Sequence, residues 1–542
     1  MERILINGKI ALIDSKDTSW AEAVAIKNGK IIKVGTNEEI LSLKEKETEI
    51  IDLKGKLVLP GFNDSHMHLL GYGYTLEAVD LSGAASIDQI INTTREFILD
   101  NFIKKGNWVV GRGWNHDYFI DGNRFPTRYD LDKISTEYPI ILIRVCGHVL
   151  ITNSKALEIA GIDKNTPQVE GGEFDLDKNG EPLGIFRENA MYLVRNKMPE
   201  PTVAEIKAML LNAIKELNSY GITSVQTDDF EVVPGRNYEN IIKAYKELED
   251  EGKLTLRVYE QCLLPNMDRL NPFLQKEYRT GSGNEYFKIG PLKLLVDGAL
   301  GARTAALTKP YNDCPETSGI PIYSQKELDD LIEKAHDYDM QIAIHCIGDK
   351  AMYMAFESIE KVLAKNPKDD HRHGIVHCQI TDEYLLNKFK ELNAIAYIQP
   401  IFLDYDWKIA EDRVGKELLE TSYNWKTLLN KDVHIACGSD APVENFNVLY
   451  GIYEAVTRKD LTGKPEEGWL PEQKLTVEEA VYGYTKAGAY ASFEEDIKGS
   501  IEEGMLADLV VLSDNIFEIP EDDIKNVEID MTIFHGEIIY KK

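Results

Sequence analysis

The chain has 542 residues, 43% of them hydrophobic and 28% charged, and a formal net charge of −30. This is the composition of a folded globular protein, too long for one ordinary domain but suited to a barrel enzyme with a satellite domain. The acidic charge argues against binding to nucleic acid or to an anionic membrane surface, because both require basic patches. No stretch approaches the ~18 consecutive apolar residues of a membrane span, and the start lacks the apolar core of a signal peptide, so we expect a cytoplasmic protein.

The two ends of the chain share a pattern of short strands and tight turns. Residues 3–14 and 23–35 each carry an Asn-Gly pair between apolar-rich arms, which is the usual signal of a β-hairpin. Residues 507–515 and 531–542 have the same texture, with a turn at His535-Gly536. Terminal strands that cannot close a core alone do so together. We therefore predict one small β-sandwich domain formed by residues 1–60 and 495–542.

The middle of the chain alternates strands with amphipathic helices. Helical spacing of apolar residues marks 202–221, 238–252, 324–339 and 349–366. Eight β-rich runs accompany them, at 57–69, 222–227, 254–264, 286–298, 340–348, 373–380, 394–402 and 433–443. Eight such units predict a closed (β/α)8 barrel of the TIM type over residues 61–494. A doubly wound open sheet is the competing architecture, but no G-x-G-x-x-G follows an early strand.

Residues from about 83 to 200 interrupt this alternation after the first barrel strand. They contain aromatic- and glycine-rich pieces, such as 107–119, and a predicted hairpin at 171–186. We interpret this stretch as a large insertion over the active-site mouth.

Chemically useful side chains gather at the predicted strand ends, which face one shared cavity in such a barrel. They are His66, His68, Lys293, Asp297, His345, His377 and Asp440. Four imidazoles and a carboxylate predict a divalent metal site, most naturally for zinc. Each element alone has an ordinary explanation: an H-x-H pair in a turn, a single histidine at a strand end, or a G-S-D turn with an Asx cap. Their coincidence at strand ends favours the metal site.

Lys293 lies in KIGPLKLLVDG, among apolar residues of a predicted buried strand. Burying an ammonium group is costly, and a neutral lysine amine can capture carbon dioxide as a carbamate whose oxygens bridge two metals. The alternative is a lysine that pairs with Asp297 or extends towards solvent. The pattern alone leaves both interpretations open.

The sequence resembles the amidohydrolase superfamily, specifically the amidohydrolase-3 branch of N-substituted formamide deformylase-like enzymes. The matching stretches run in family order from residue 60 to 512: PGFNDSHMHL, GWNHDYF, RFPTRYDLD, GHVLITNSKALEIAGI, KLLVDGALGARTAAL, IHCIGDKA, HCQI, GSDAPV and GSIEEGMLADLVVL. The combination of H-x-H, D-G-x-L-G-x-R-T-A and G-S-D is specific.

The resemblance implies a role for each predicted metal ligand. His66 and His68 hold the more buried metal with Asp440, while His345 and His377 hold the more exposed one, and a carboxylated Lys293 bridges the two. One or two divalent ions are implied, since some members of the superfamily use a single metal. The implied mechanism is hydrolysis by a metal-bound hydroxide, with Asp440 as general base and then general acid.

Four further residues have two interpretations each. His148 and Asn153, in GHVLITN, match family positions that approach the substrate, but they could be a structural histidine and a turn amide. Arg303 could bind an anionic group of the substrate or anchor the loop after strand four. Trp114 could belong to a lid or to an aromatic core.

A second H-x-H, formed by His371 and His373, precedes His377. These three could make a local zinc site, but His373 enters its strand far from the barrel mouth, so we interpret the pair as structural.

The sequence therefore predicts a metal-dependent hydrolase that cleaves the C–N bond of an amide, an N-formyl or N-acyl amine, or a cyclic amide. The same metal centre would also suit a deaminase or an ester or lactone hydrolase, because ligands alone do not choose the substrate. A non-catalytic binding or regulatory barrel is the third reading, which the presence of every expected ligand disfavours. We expect a small-molecule substrate and a homodimer.

Overall fold

The computed structural model describes residues 2–13, 18–120, 122, 124–145, 149–169 and 172–542. Its strands, in chain order, are β1 Arg3–Ile6, β2 Lys9–Ile13, β3 Thr18–Ala21, β4 Ala23–Lys27, β5 Lys30–Gly35, β6 Glu49–Asp52, β7 Leu57–Pro60, β8 Phe62–Met67, β9 Val79–Asp80, β10 Val109–Trp114, β11 Ile140–Arg144, β12 Val149–Thr152, β13 Gly172–Leu176, β14 Pro182–Glu188, β15 Ile222–Thr227, β16 Arg257–Leu263, β17 Phe287–Leu295, β18 Ile342–Cys346, β19 Gly374–His377, β20 Ile395–Ile398, β21 Ile435–Cys437, β22 Leu509–Leu512, β23 Ile529–Phe534 and β24 Glu537–Lys541.

The helices are α1 Asn37–Leu41, α2 Leu69–Leu76, α3 Ile87–Asp100, α4 Arg128–Leu131, α5 Ser154–Ala160, α6 Tyr192–Arg195, α7 Val203–Ser219, α8 Tyr238–Asp250, α9 Met267–Gln275, α10 Gln325–Asp337, α11 Asp349–Lys365, α12 Glu383–Glu391, α13 Leu403–Asp406, α14 Ala410–Leu419, α15 Trp425–Asn430, α16 Val448–Thr457, α17 Val477–Gly483 and α18 Lys486–Ala491. Helix α14 is interrupted by non-helical backbone at Gly415. None of the helices in the described ranges is long and apolar enough to cross a membrane.

The chain forms two compact units. One comprises Met1–Leu69, Ala213–Phe230 and Ile241–Lys542, and the other comprises Leu70–Asn212 and Glu231–Asn240. The predicted insertion, about 83–200, falls inside the second unit. The predicted domain boundaries at 60 and 495 stay a prediction, because both sides of each boundary belong to the first unit.

The first unit contains the predicted barrel. Its eight-stranded sheet has the order β8-β15-β16-β17-β18-β19-β20-β21, and every adjacent pair is parallel. Each strand from β15 to β21 is followed by a helix, and the helices connect parallel strands as they do in β/α barrels. The predicted (β/α)8 architecture is confirmed.

Polar contacts close the barrel where its first and last strands meet. The backbone N–H of Asp440 donates to the carbonyl oxygen of His66 at 2.8 Å, and that of His68 donates to Ala441, also at 2.8 Å. A Cβ atom at Gly438 would lie 2.5 Å from the backbone nitrogen of His66, so only glycine permits this approach. The closure fixes the end of β8 in register with the residues that follow β21.

The buried carboxylate of Asp64 reinforces this seam. It accepts hydrogen bonds from the backbone N–H and the hydroxyl of Ser439, which follows β21, and from the backbone N–H of His66. Burial raises the pKa of Asp64 to about 7, against these hydrogen bonds, which lower it. We assign Asp64 to closing the barrel.

The two ends of the chain share a second layer of structure in the same unit. A six-stranded sheet, β24-β23-β22-β7-β2-β3, contains strands from both termini, with β22 antiparallel to β7. A four-stranded sheet, β5-β4-β1-β6, packs on it through a common apolar core that includes Leu5, Val24, Val58, Leu509 and Ile533. The predicted sandwich of both termini is confirmed.

One predicted hairpin of this sandwich is wrong. The Asn-Gly pair at 28–29 joins the antiparallel neighbours β4 and β5, and the turn at 535–536 joins β23 and β24. The pair at 7–8 does not, because β1 and β2 belong to different sheets. Asn7 has a φ of 54°, so the turn residue has the expected conformation while the strands separate.

The second unit is built on a six-stranded sheet of order β13-β14-β12-β11-β10-β9. Strands β13 and β14 are antiparallel, as the hairpin prediction for 171–186 requires. Trp114 is fully buried in an apolar cluster and meets the ring of Phe125 edge-on. These contacts favour the core interpretation of Trp114 over the lid.

Candidate metal centre

The predicted metal ligands lie at the carboxyl-terminal region of the barrel strands. His66 is in β8 and His68 follows its end by one residue, Lys293 and His345 lie in β17 and β18, His377 ends β19, and Asp440 follows β21 by three residues. All are buried except His68 and His345, whose side chains are 23% and 13% exposed. The partial exposure of His68 and His345 leaves the donors accessible from outside, as a metal centre for small molecules requires.

Three of these residues form one compact donor group. One donor atom each of His66, His377 and Asp440 lies within 4.8 Å of the others. The Nε2 atom of His66 is 3.3 Å from Oδ1 of Asp440, and the Nε2 atom of His68 is 3.0 Å from the same oxygen. Two imidazoles and a carboxylate at this spacing suit a zinc-type ion.

Two glutamines hold the imidazoles of this group. The Nδ1 atom of His66 lies 2.8 Å from Oε1 of Gln261, and Nδ1 of His377 lies 2.8 Å from Oε1 of Gln399. An amide oxygen only accepts, so each Nδ1 carries the proton and donates it. Each Nε2 is therefore left as the lone-pair donor, the arrangement in which outer residues orient metal-binding histidines.

His345 has the opposite tautomer. Its Nε2 atom donates to the carbonyl oxygen of Gly298 at 3.2 Å, which leaves Nδ1 as the lone-pair donor. Burial, assisted by the charge of Lys293, lowers the pKa of His345 to about 3, so the imidazole is neutral. Its ring centroid is 4.3 Å from that of His377. His345 is thus prepared to bind a cation next to the first donor group.

A residue that the sequence analysis missed completes a second donor group. Asp228, directly after β15, lies with His66 and His68 so that one donor atom of each is within 4.8 Å of the others. Oδ2 of Asp228 accepts a hydrogen bond from Nζ of Lys293 at 3.0 Å. The only signal in the sequence is the Asp-Asp pair at the end of a predicted strand, 228–229, which has no characteristic spacing.

The charges of the centre support one another. Burial alone would lower the pKa of His68, but the carboxylates of Asp228 and Asp440 together raise it well above its ordinary value. Burial likewise opposes ionisation of Asp440, yet the adjacent imidazoles of His66 and His68, of which His68 is hydrogen-bonded to Asp440, hold its pKa well below the usual range. The centre is built to keep its carboxylates charged.

Two residues of the centre have strained backbones. His377 and Asp440 have φ values of 80° and 62°, in the left-handed region that non-glycine residues rarely adopt. Such strain costs about 1–3 kcal/mol per residue and persists where the surroundings fix a functional side chain. Both side chains are aimed into the donor group by this conformation.

Lys293 pairs with a different residue from the one considered in the sequence analysis. Its side chain is buried, and its partner is Asp228 rather than Asp297. The carboxylate of Asp297 is occupied by three backbone N–H groups, those of Ala306, Ile347 and Gly348, at 2.9, 3.0 and 2.7 Å. Asp297 thus organises the loops after β17 and β18.

Arg303 and Asn153 lie outside these donor groups. Arg303 donates to both carboxylate oxygens of Asp313, at 3.1 and 2.7 Å, which fits its interpretation as a loop anchor. Asn153 is fully buried, and its side chain caps α5 through Ala156. His148 lies outside the described residues. The proposed roles of Arg303 and His148 towards a substrate stay predictions.

The second H-x-H belongs to a hydrogen-bonded chain of histidines. His373 accepts from the N–H of Ile342 through Nδ1, so its Nε2 donates to Nδ1 of His336 at 2.9 Å. His336 in turn donates to the carbonyl oxygen of Asn366, and His371 donates to that of Leu392. Every ring nitrogen of His336, His371 and His373 has a partner within the protein, which favours the structural interpretation of His371 and His373.

We expect His371 and His373 to make the protein less stable in acid. Burial lowers the pKa of His371 and lowers that of His373 well below its ordinary value, and neighbouring histidines and Lys368 add to the effect. The stabilisation is therefore complete above the unfolded pKa of ~6.5 and decreases as pH falls below it, by about 1.4 kcal/mol per pH unit for each histidine. Urea unfolding at pH 5 to 8 measures this slope, and His373→Gln should reduce it. An equal slope in the variant would contradict the assignment.

An eight-stranded parallel barrel with histidine and aspartate donors at its strand ends defines a metal-dependent hydrolase fold and centre. Comparisons identify the family. Residues 49–540 match the Amidohydrolase family. A putative amidohydrolase, YtcJ of Bacillus subtilis (strain 168), is 35% identical over 96% of this chain and 96% of its own. The chain therefore belongs to the amidohydrolase family, in its amidohydrolase-3 branch.

Two further relatives extend this result. The N-substituted formamide deformylase of Arthrobacter pascens is 26% identical over 99% of this chain and 98% of its own. The crystal structure of an uncharacterized metal-dependent hydrolase from Pyrococcus horikoshii OT3 superposes with a TM-score of 0.80 and 30% identity, covering 96% of this chain and 99% of that one. The similarity spans both chains almost completely.

Proposed function

We propose that this protein hydrolyses the C–N bond of a small amide, an N-formyl or N-acyl amine, or a cyclic amide. The observation that carries the proposal is the buried group of His66, His377 and Asp440, whose two imidazoles are each held through Nδ1 by a glutamine. The likeness to an N-substituted formamide deformylase supports this substrate class. We also propose a cytoplasmic homodimer.

The residues present fit one or two divalent ions, and we propose zinc. His66, His68 and Asp440 would hold one ion, and His345 and His377 a second, with the available lone pairs on Nε2 of His66 and His377 and on Nδ1 of His345. We propose that Lys293 is carboxylated by carbon dioxide at Nζ, with loss of a proton, and bridges the ions. A bound ion would supply Lewis acidity that polarises the substrate carbonyl and acidifies a water molecule.

Asp440 is the proposed proton carrier of the reaction. Its carboxylate faces His66 and His68, which keep it ionised and ready to accept a proton at neutral pH. It would take the proton of the attacking water and deliver it to the leaving nitrogen, the sequence of general base and general acid that amide hydrolysis needs. Gln261 and Gln399 would keep the imidazoles of His66 and His377 in the same orientation during the reaction.

Metal removal tests the proposal. We expect protein purified without chelator to contain at least about one equivalent of divalent metal, since folded donor groups of this kind bind zinc tightly. Dialysis against a chelator should abolish hydrolysis of N-formyl and N-acyl amines, and zinc should restore it. Mass spectrometry of the metal content and release of formate or a free amine are the measurements.

The same assay separates the alternatives. A deaminase would release ammonia from an amino-substituted ring, and a lactone hydrolase would open lactones faster than amides. Less than about half an equivalent of metal in protein never exposed to chelator contradicts the proposed hydrolase, because the donor group then fails to bind.

A further inference from the structure

A fully buried carboxylate, Asp228, connects two predicted ligands of the centre. Oδ1 contacts Nδ1 of His68, and Oδ2 accepts from Nζ of Lys293 at 3.0 Å. These partners come from different strands, His68 after β8 and Lys293 within β17. Asp228 is therefore placed among the donors, although its own strand, β15, contributes none of the predicted ligands.

One oxygen of this carboxylate lacks a hydrogen bond. Oδ1 has no hydrogen-bond partner among the described residues, since its contact with His68 is not aligned as a hydrogen bond. A buried carboxylate oxygen without a partner is costly, and a cation relieves that cost. One carboxylate oxygen of Asp228 lies within 4.8 Å of donor atoms of His66 and His68, and Oδ1 is the oxygen that contacts Nδ1 of His68. The carboxylate oxygen without a hydrogen bond and the neighbouring imidazoles therefore point to one ion.

We propose that Asp228 is itself a metal ligand, which contributes Oδ1 beside His66 and His68, and that Lys293 positions it through Oδ2. This inference rests on the proposed metal-dependent function. It is compatible with carboxylation of Lys293, because a carbamate nitrogen retains one N–H that can donate to Oδ2. It also accounts for a buried lysine whose partner is Asp228 and not Asp297.

The proposal also explains the charge balance around His68. The imidazole lies between two carboxylates, Asp228 and Asp440, with no other ionic partner among the described residues. A cation shared by the two carboxylates would balance the negative charge of both. The strength of metal binding should therefore depend on both aspartates.

The test compares the full-length protein with Asp228→Asn and Asp228→Ala. Asp229→Asn is the matched control, because this neighbouring buried carboxylate accepts from Thr227 and Tyr245. Zinc affinity is measured by competition with a chromophoric chelator, and the cobalt-loaded proteins are compared by their visible absorption spectra. The thermal midpoint of each metal-free protein reports on folding.

We expect both Asp228 variants to bind zinc at least about tenfold more weakly, since even residues outside the ligand shell change metal affinity by 10–100-fold. The cobalt spectrum should change, while Asp229→Asn keeps the wild-type affinity and spectrum. If Asp228→Ala fails to fold, Asp228→Asn decides, because Asn fits the same space. If Asp228→Asn keeps the wild-type zinc affinity and cobalt spectrum, the inference is overturned while the proposed function stands. An equal loss of zinc affinity in Asp229→Asn has the same consequence. Absence of metal from the wild-type protein overturns the proposed function as well.

Discussion

Replacement of Asp440 by Asn should lower kcat by about 10²–10⁴-fold, the range that general acid–base catalysis contributes. The substitution keeps the size of the side chain and removes the charge that lets the carboxylate accept and return a proton. His66 and His68 hold this group ionised at neutral pH, so its basic form is the one that the wild-type protein presents. Steady-state rates with saturating zinc measure the effect.

The control for this experiment is Asp406→Asn. Asp406 is also buried after a barrel strand, but its carboxylate accepts from Gln379 and Tyr423 at 2.8 and 2.9 Å. We expect this variant to retain the wild-type kcat. Metal content is determined for both variants, so that a rate lost with the ion is distinguished from a rate lost with the proton carrier. Full activity of Asp440→Asn at equal metal content contradicts the assigned role.

The barrel was predictable because its signal is repeated. Eight β-rich runs with helices between most of them leave few architectures, and each run coincides with one strand of the closed sheet. The failed hairpin at Asn7-Gly8 shows the limit of local patterns. A turn residue determines the backbone at its own position, while the sheet in which each arm pairs depends on distant partners, here β4 and β7.

The candidate centre was predictable only where spacing or residue type carries information. His66 and His68 form a short motif, and a histidine or lysine inside an apolar run attracts attention. Asp228 belongs to an ordinary Asp-Asp pair, and Gln261 lies in a strand with no motif at all. Their importance comes from proximity in space: Gln261 is 195 residues from His66 along the chain, yet it holds the imidazole of His66.

The structure also shows a proximity that the predicted grouping of the ligands does not include. The family resemblance assigns His377 to the ion shared with His345, whereas a donor atom of His377 lies close to those of His66 and Asp440. The tautomers of His377 and His345 determine which nitrogen of each ring can bind an ion. A glutamine oxygen and a backbone carbonyl leave opposite ring nitrogens available on His377 and His345. Tautomers depend on such partners and are invisible in a sequence.

The largest effect on stability is expected from Asp508→Ala. Asp508 precedes β22 and binds the buried guanidinium of Arg257, the first residue of β16, through two hydrogen bonds of 2.5 and 3.0 Å. Burial would lower the pKa of Arg257, but the charge of Asp508 raises it. Removal of the carboxylate leaves a buried charge without its partner, which costs about 3–5 kcal/mol.

This ion pair joins the barrel to the sheet formed by both termini, since Asp508 also accepts from the backbone N–H of His535 at 2.8 Å. The urea midpoint of Asp508→Ala should therefore fall far more than that of Glu383→Ala, which removes only an exposed partner of Lys431. Combining Asp508→Ala with Arg257→Met should recover part of the loss, because no buried charge then remains. Equal midpoints for Asp508→Ala and Glu383→Ala would show that Arg257 is solvated without its partner.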